Sequence, residues 1–264
     1  MPMMCRAMPM RMTCDIGNKV ALVTGANRGI GKAIVEAFLK HGARKVYAAV
    51  RNLNSAISLV DRYGEKVMPV PVDLARPETI FALAGSCPDV EVVVNNAAVF
   101  RTSTPLDDDA IDALEEAMKV NVFGLVRMAQ AFAPVLQRNG GGAFVQINSI
   151  ASLKCSPNFA THSASKAATY SITQALRELL GQRGTAVLSV HPGLIATDMA
   201  DLACLAGTAE PPSVVAEGVV AALKSGEFHL FPDTMARRIG NAYRGFSQNV
   251  IEVGIEEYKA EKRE

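Results

Sequence analysis

The chain has 264 residues, 49% of them hydrophobic and 20% charged, with a formal net charge of +1. That composition supports one sizeable core and excludes a disordered, collagen-like or disulfide-stapled chain. Acidic and basic residues are interspersed, which leaves no electrostatic footprint for nucleic acid or an anionic membrane and points to small-molecule chemistry.

In chain order, Met1 to Thr13 is broken by Pro2 and Pro9 and lacks the continuous apolar segment of a secretion signal. Residues 1–16 are expected to form a loose N-terminal extension, followed by a single domain over 17–264. Short β-branched runs come next: Lys19–Thr24, Lys45–Val50, Lys66–Val72, Glu91–Asn95, Ala143–Asn148 and Ala186–His191. Between them, Ile30–His41, Leu53–Tyr63, Pro77–Gly85, Asp109–Arg138 and Phe159–Gln182 have helical length and spacing. Apolar strands alternating with helices predict an α/β fold, a doubly wound parallel sheet of the Rossmann type covered on both faces.

Gly42, Pro77 and Gly140-Gly-Gly142 punctuate the joins, and Pro134 is expected to end or kink the long helix that Asp109 begins. Residues 198–212 are irregular and long enough to be a lid. Asp233–Glu264 reads as helical and ends in solvated charges. No stretch has the length of an uncharged membrane span. The five cysteines, Cys5, Cys14, Cys87, Cys155 and Cys204, form no CxxC pair and have no histidine at metal-ligand spacing. They read as reduced thiols of a cytoplasmic protein with no metal site. Cys155 falls between Ser149 and His162, where it is either part of a site's mouth or a plain loop cysteine.

Thr24-Gly-Ala-Asn-Arg-Gly-Ile-Gly31 follows a strand and opens a helix. Gly25, Gly29 and Gly31 there let the backbone turn tightly and bring its amides against a pyrophosphate at the positive helix end. Taken alone, such a turn can also serve only close helix packing. At the end of the second strand, where a carboxylate would hold the ribose hydroxyls of NAD, the chain has Arg51, whose guanidinium offers a fork to a 2′-phosphate. Further along, Ser149 follows an apolar strand, and His162 and Lys166 share one helical face at i,i+4. These three polar side chains are expected to meet.

With Asn95-Asn-Ala-Ala98, Lys119-Val-Asn121 and Pro192-Gly193, the pattern resembles the short-chain dehydrogenase/reductase family over roughly residues 17–232. The resemblance implies an NADP-dependent oxidoreductase that moves a hydride between NADPH and the carbonyl of a ketone or aldehyde. It also implies a homodimer or homotetramer built on the helices Asp109–Arg138 and Phe159–Gln182. By the same resemblance the cofactor contacts are Gly25, Asn27, Arg28, Gly29, Ile30, Gly31 and Arg51, then Asp73 and Leu74 at the adenine. Asn95, Ala97 and Lys166 follow at the ribose, and Pro192, Gly193, Ile195 and Thr197 at the nicotinamide. The family usually has glycine at position 98. Alanine there disfavours positive φ and is expected to shift the turn. A sugar-nucleotide epimerase would need a larger C-terminal domain and a differently spaced glycine turn.

Hydride transfer leaves an alkoxide that must be held and protonated. The resemblance gives Ser149 the oxygen, Asn121 a water chain to solvent, and Lys166 the ribose and the lowering of a tyrosine pKa. That tyrosine belongs at position 162, where this chain has His162. Imidazole has an ordinary pKa of about 6.5 against about 10 for phenol, so a nearby ammonium favours the neutral ring. Its reach is shorter, and a misplacement of about 1 Å costs roughly a hundredfold in rate, so proton delivery would need an intervening water. Three explanations stay open: an engineered replacement, a natural enzyme with water-relayed His162, or a member that binds NADP without turnover and acts as a scaffold or regulator. Tyr170 shares the helical face but lies one turn too far to substitute, and Thr161 points elsewhere. Phe100, Phe159 and Leu194 are either walls of a pocket for a hydrophobic carbonyl compound or plain core.

Overall fold

The computed structural model describes residues 12–198 and 209–253. Seven parallel strands, β1 (Val20–Thr24), β2 (Lys45–Val50), β3 (Val67–Pro71), β4 (Val92–Asn95), β5 (Ala143–Ile147), β6 (Ala186–Val190) and β7 (His229–Leu230), lie in the order β3-β2-β1-β4-β5-β6-β7. The helices are α1 (Gly29–Lys40), α2 (Ile57–Tyr63), α3 (Pro77–Ser86), α4 (Ala110–Ala117), α5 (Gly124–Arg138), α6 (Ala160–Gly181), α7 (Pro212–Ser225) and α8 (Thr234–Phe246). This is the doubly wound α/β arrangement expected from the sequence. The winding reverses between β1 and β4, which opens the sheet's ligand crevice at their carboxyl ends.

Successive residues of each central strand point to opposite cores. Ala21 and Val23 pack with Ile34 and Phe38 of α1 and with Val215 and Val219 of α7. Val20 and Leu22 pack with Ile80 of α3 and with Leu125, Met128 and Phe132 of α5. Both faces are apolar, so the period of two is invisible in the sequence and the strands read as continuous hydrophobic runs. The edge strand β3 differs: Pro69 and Pro71 lie at the sheet's rim, where a missing N–H breaks no ladder.

Several expectations need correction. Cys14 and Ile16 are buried, and the Cys14 amide donates to the Leu223 carbonyl at 2.8 Å, so the chain is packed from Cys14 and the stretch 1–16 is not loose throughout. Residues 1–11 lie outside the described residues. The long helix from Asp109 is interrupted by a π-helical segment, Met118–Phe123, between α4 and α5. Pro134 does not end α5, which runs on to Arg138. Pro134 and Gln130 are both exposed, so the N–H that proline lacks is lost on the solvent side of the helix.

The two-residue β7 escaped the sequence reading because it is too short to show a period. Of the stretch 198–212 that was expected to be a lid, residues 199–208 lie outside the described residues. Its two ends are stitched together by bonds from the Ala196 amide to the Glu210 carbonyl at 2.8 Å and from the Glu210 amide to the Leu194 carbonyl at 3.0 Å. The helical tail is present as α8 and a π-helical turn, Ser247–Ile251, while 254–264 lie outside the described residues. Among the described residues no helix is long and apolar enough to cross a membrane.

The glycine run before β5 is a packing requirement. Gly142 has φ +64°, and a Cβ there would sit 1.8 Å from the Glu91 carbonyl oxygen, which itself accepts from the Ala143 amide. Gly142→Ala is expected to cost about 3 kcal/mol from left-handed strain and overpacking together, measured by urea unfolding.

Candidate active site

The turn after β1 carries Gly25 at φ +64° and Gly29 at φ +51°, so both use backbone that other residues rarely adopt. α1 starts at Gly29 with no side chain capping its amides and no acidic residue in its first turn. Those amides point out at the positive end of the helix, which suits a pyrophosphate. Gly31 must be glycine, because a Cβ there would lie 2.2 Å from the Gly25 carbonyl oxygen.

Two residues to which the sequence reading gave no role hold this turn. Asn96 Nδ2 donates to the Thr24 carbonyl at 2.8 Å, and Thr24 Oγ1 accepts from the amides of Asn96 at 2.9 Å and Ala97 at 3.0 Å. They were legible as polar residues ending two adjacent apolar strands. Asn95, by contrast, is buried and spends its side-chain amide on Gln146 of β5, with Nδ2 donating to Oε1 at 2.7 Å. Among the described residues Asn18 is the sole non-glycine at positive φ, so Ala98 makes its turn without the left-handed backbone.

The other expected cofactor residues fall around the same edge. Asn27 and Ile30 are half-buried in the turn, while Arg28 and Arg51 are exposed at its rim. Arg28 is paired with Asp198. Asp73 Oδ1 accepts from the Ala75 amide at 2.9 Å, and Leu74 is buried in the core beside α5. Pro192 and Ile195 are buried, and Gly193 passes so close to Asp233 that its amide donates to Oδ2 at 2.6 Å and a Cβ would meet Oδ1 at 2.5 Å. Thr197 closes over the turn, since a Cβ on Gly29 would lie 3.0 Å from its Cγ2. A cavity of about 360 Å³ borders Gly29, Lys32, Thr197 and Asp198 at this carboxyl edge.

Ser149 directly follows Asn148 at the end of β5 and caps the short turn Ile150–Ser152, accepting from the Ala151 amide at 3.1 Å. Its hydroxyl donates to the Pro192 carbonyl over 3.4 Å, a long bond that a ligand can readily replace. α6 packs against that turn and carries His162 and Lys166 on its buried side. Lys166 Nζ donates to the Ile147 carbonyl at 2.9 Å, two residues before Ser149. Burial pushes the Lys166 pKa down to about 8.

Asn121 lies in the π-helical segment, a distortion often found at functional sites. Its Oδ1 accepts from the Val99 amide at 2.9 Å, and its Nδ2 donates to the Val99 carbonyl at 3.1 Å and to Ser165 Oγ at 3.0 Å. It clamps the loop after β4 to α6.

His162 is 6% exposed, and its ring stands edge-on to Phe100 at 5.0 Å, with Phe159 beyond at 5.5 Å from Phe100. Its Nδ1 is buried without a hydrogen-bond partner. Burial pushes its pKa down to about 3, the Lys166 ammonium works in the same direction, and the Val99 backbone opposes them. The ring is therefore neutral throughout the physiological range. Tyr170 is committed elsewhere, its hydroxyl lying 2.7 Å from His229 Nε2 and 3.4 Å from the Tyr243 hydroxyl. Cys155 is exposed on the loop before α6.

His191, which the sequence reading passed over, is fully buried beside Ser149. Its Nδ1 lies 3.0 Å from Ser152 Oγ and 3.2 Å from the Ser149 carbonyl oxygen, and its Nε2 lies 2.8 Å from Ser189 Oγ. Burial pushes its pKa down to about 3, with His229 contributing.

Comparison with known proteins agrees with this geometry. Residues 19–203 match the family model for short chain dehydrogenases. A probable galactose dehydrogenase from Rhizobium meliloti (strain 1021) is 34% identical over 197 residues, covering 70% of this chain and 74% of that protein. A 3-oxoacyl-[acyl-carrier-protein] reductase from Vibrio cholerae is 29% identical over 70% of this chain and 77% of its own. Among solved structures, a short chain dehydrogenase from Burkholderia cenocepacia J2315 in complex with NADP is 35% identical, with a TM-score of 0.81 over 89% of this chain and 96% of that one. A relative from Burkholderia phymatum in complex with NAD shares the fold at 24% identity and a TM-score of 0.77, over 88% and 96% of the two chains.

The two buried histidines make stability depend on acid. Each has a folded pKa of about 3 against an ordinary 6.5, so below pH 6.5 the unfolded chain binds protons that the folded chain refuses. The contribution of these two groups is expected to be level above pH 7 and to fall as the pH drops from 6.5 toward 3. Thermal melts across that range check the slope, and His162→Tyr should make it shallower, because phenol does not titrate there.

Proposed function

The chain belongs to the short-chain dehydrogenase/reductase family, and on that premise we propose that it is an NADP-dependent oxidoreductase acting on the carbonyl of a ketone or aldehyde, or on the corresponding alcohol. The observation that carries this reading is the uncapped start of α1 in a clamped glycine turn, at the same sheet edge as Ser149 and Lys166. The free amides at the start of α1 fit a pyrophosphate. Arg28 and Arg51 at the rim favour a 2′-phosphate over bare ribose hydroxyls. The NADP bound to the Burkholderia cenocepacia relative supports the same choice.

NADPH, when bound, supplies the hydride. Ser149 exchanges its long bond to Pro192 for the substrate oxygen, holding it as negative charge develops. Lys166, fixed on the Ile147 carbonyl, brings a positive charge beside that oxygen while it keeps its proton. Phe100 and Phe159 present an apolar wall next to His162, which suits a hydrophobic substrate. A neutral His162 can give one hydrogen bond but parts with a proton reluctantly, and its ring is shorter than a phenol. A water between ring and substrate oxygen then has to relay a proton from solvent to the alkoxide, so turnover is slow.

A second reading, an NADP-binding protein with negligible turnover that serves as scaffold or regulator, is favoured by the same neutrality of His162. A homodimer or homotetramer remains part of the proposal, supported by Ile111, Phe123 and Leu179, which are exposed along α4 to α6. A cytoplasmic location is proposed on the widely spaced cysteines, of which Cys14, Cys87 and Cys155 are free.

NADPH consumption with a panel of aryl and aliphatic ketones separates the two readings. His162→Tyr is expected to raise kcat by about a hundredfold or more with the NADPH dissociation constant unchanged. If the tyrosine variant binds NADPH yet gains nothing, the enzyme reading fails. Independently, Arg51→Asp should weaken NADPH binding by roughly tenfold or more and leave NADH binding intact or improved, as read by nucleotide fluorescence. An unchanged NADPH constant would remove the basis for choosing NADP.

A further inference from the structure

His191 takes no part in the proposed reaction, yet it is fully buried with both ring nitrogens engaged. Counting donors and acceptors sets its tautomer. The Ser149 carbonyl can only accept, and it already receives the Ser152 hydroxyl at 2.5 Å. His191 Nδ1 must therefore carry the ring hydrogen and give it to the Ser149 carbonyl and Ser152 Oγ. Nε2 is then a lone pair, which the Ser189 hydroxyl fills at 2.8 Å. Ser189 Oγ in turn accepts from Asn148 Nδ2 at 2.8 Å, and Asn148 Oδ1 accepts from Thr169 Oγ1 at 2.8 Å.

A directed chain of hydrogen bonds thus runs from Thr169 through Asn148, Ser189 and His191 to the Ser149 carbonyl. Thr169 is three residues past Lys166 on α6, and the Lys166 carbonyl, 2.9 Å from its hydroxyl, shares the single hydrogen that it gives to Asn148. The ring of His191 cannot swing away. Phe231 stacks on it at 5.0 Å with 20° between planes, and Tyr170 stands edge-on at 4.7 Å.

We infer that His191 is a positioning residue whose Nδ1–H fixes the Ser149 turn, and with it the Ser149 hydroxyl, relative to Lys166 on α6. The inference rests on Ser149 being the group that holds the substrate oxygen. It separates the two ring nitrogens: Nδ1 faces the reaction site, while Nε2 only keeps the tautomer in place. Asparagine places its amide nitrogen where Nδ1 stands, and glutamine places its own where Nε2 stands. Both substitutions remove the ring, so a merely structural role would be damaged alike by the two.

The test compares His191→Asn with His191→Gln in the native chain and again with His162→Tyr present. Hydrogen exchange is followed at the Ala151, Ser152 and Leu153 amides, whose bonds run to Ser149 Oγ, the Ser149 carbonyl and the Ile150 carbonyl. His191→Gln is expected to speed exchange at these amides and to lower kcat by roughly ten- to a hundredfold with KM for NADPH unchanged. His191→Asn is expected to keep both near the native values. Equal behaviour of the two variants, or unchanged exchange in His191→Gln, overturns the inference. Should His191→Gln fail to fold, Ser189→Ala, which frees the tautomer without touching the ring, is read in the same way. Loss of turnover in every version, including His162→Tyr, would sink the functional reading, whereas the exchange pattern still decides whether His191 holds the Ser149 turn.

Discussion

Both faces of the sheet are covered by helices, so the only polar ground its strands can reach lies at their ends. Because all the strands are parallel, the carboxyl ends of β1, β4, β5 and β6 emerge side by side. Each delivers a polar segment at that edge: Thr24-Gly25, Asn95-Asn96, Asn148-Ser149 and His191-Pro192. The start of α1 opens on the same edge, adding the positive end of its dipole. Reversing any one of these strands would send its segment to the opposite end. The gathering of glycine turn, hydroxyl and ammonium is therefore a consequence of topology before it is one of chemistry.

The same covering makes every ionisable group at that edge expensive to charge. Lys166 is enclosed completely and its affinity for a proton drops to about 8, yet its nearest fixed partner is a backbone carbonyl and not a carboxylate. Its charge is consequently left uncompensated and available to whatever lies beside it. Two polar groups nearby lean largely on backbone: Asn121 on Val99, with a further bond to Ser165 Oγ, and Ser149 on Ala151 and Pro192. Buried polar groups without partners are costly, so these backbone bonds are what keep the arrangement in one conformation.

Much of this was legible in the chain. The alternation of apolar runs and helical spacings gave the winding, and the glycine spacing with Ser149 and Lys166 gave the site's edge. What was not legible has physical reasons. The π-helical turn at Met118–Phe123 leaves the helical pattern intact and shows only in hydrogen-bond spacing. The burial of Cys14 and Ile16 depends on contact with α7, some two hundred residues away, which no local pattern near the N-terminus signals. His191 was invisible for a different reason: its value lies in a tautomer set by Ser152, Ser189 and Asn148, and that network exists only once β5, β6 and α6 are side by side.

The residue at position 162 turns on which proton is left to give at neutral pH. An ammonium beside a phenol favours the anion and so helps the phenol give up its proton. In an imidazole, burial first and the same ammonium with it disfavour the cation, so the ring has already lost that proton at neutral pH. The surroundings that would leave a tyrosine poised to donate its proton thus leave this histidine already without its cationic acid at neutral pH, with no other residue altered. None of the hydrogen bonds of Asn121, Ser149 and Lys166 among the described residues runs to the side chain at 162. Their positions do not depend on which ring stands there, which is why the rest of the site can persist intact around His162 and why a single substitution suffices to ask what the ring contributes.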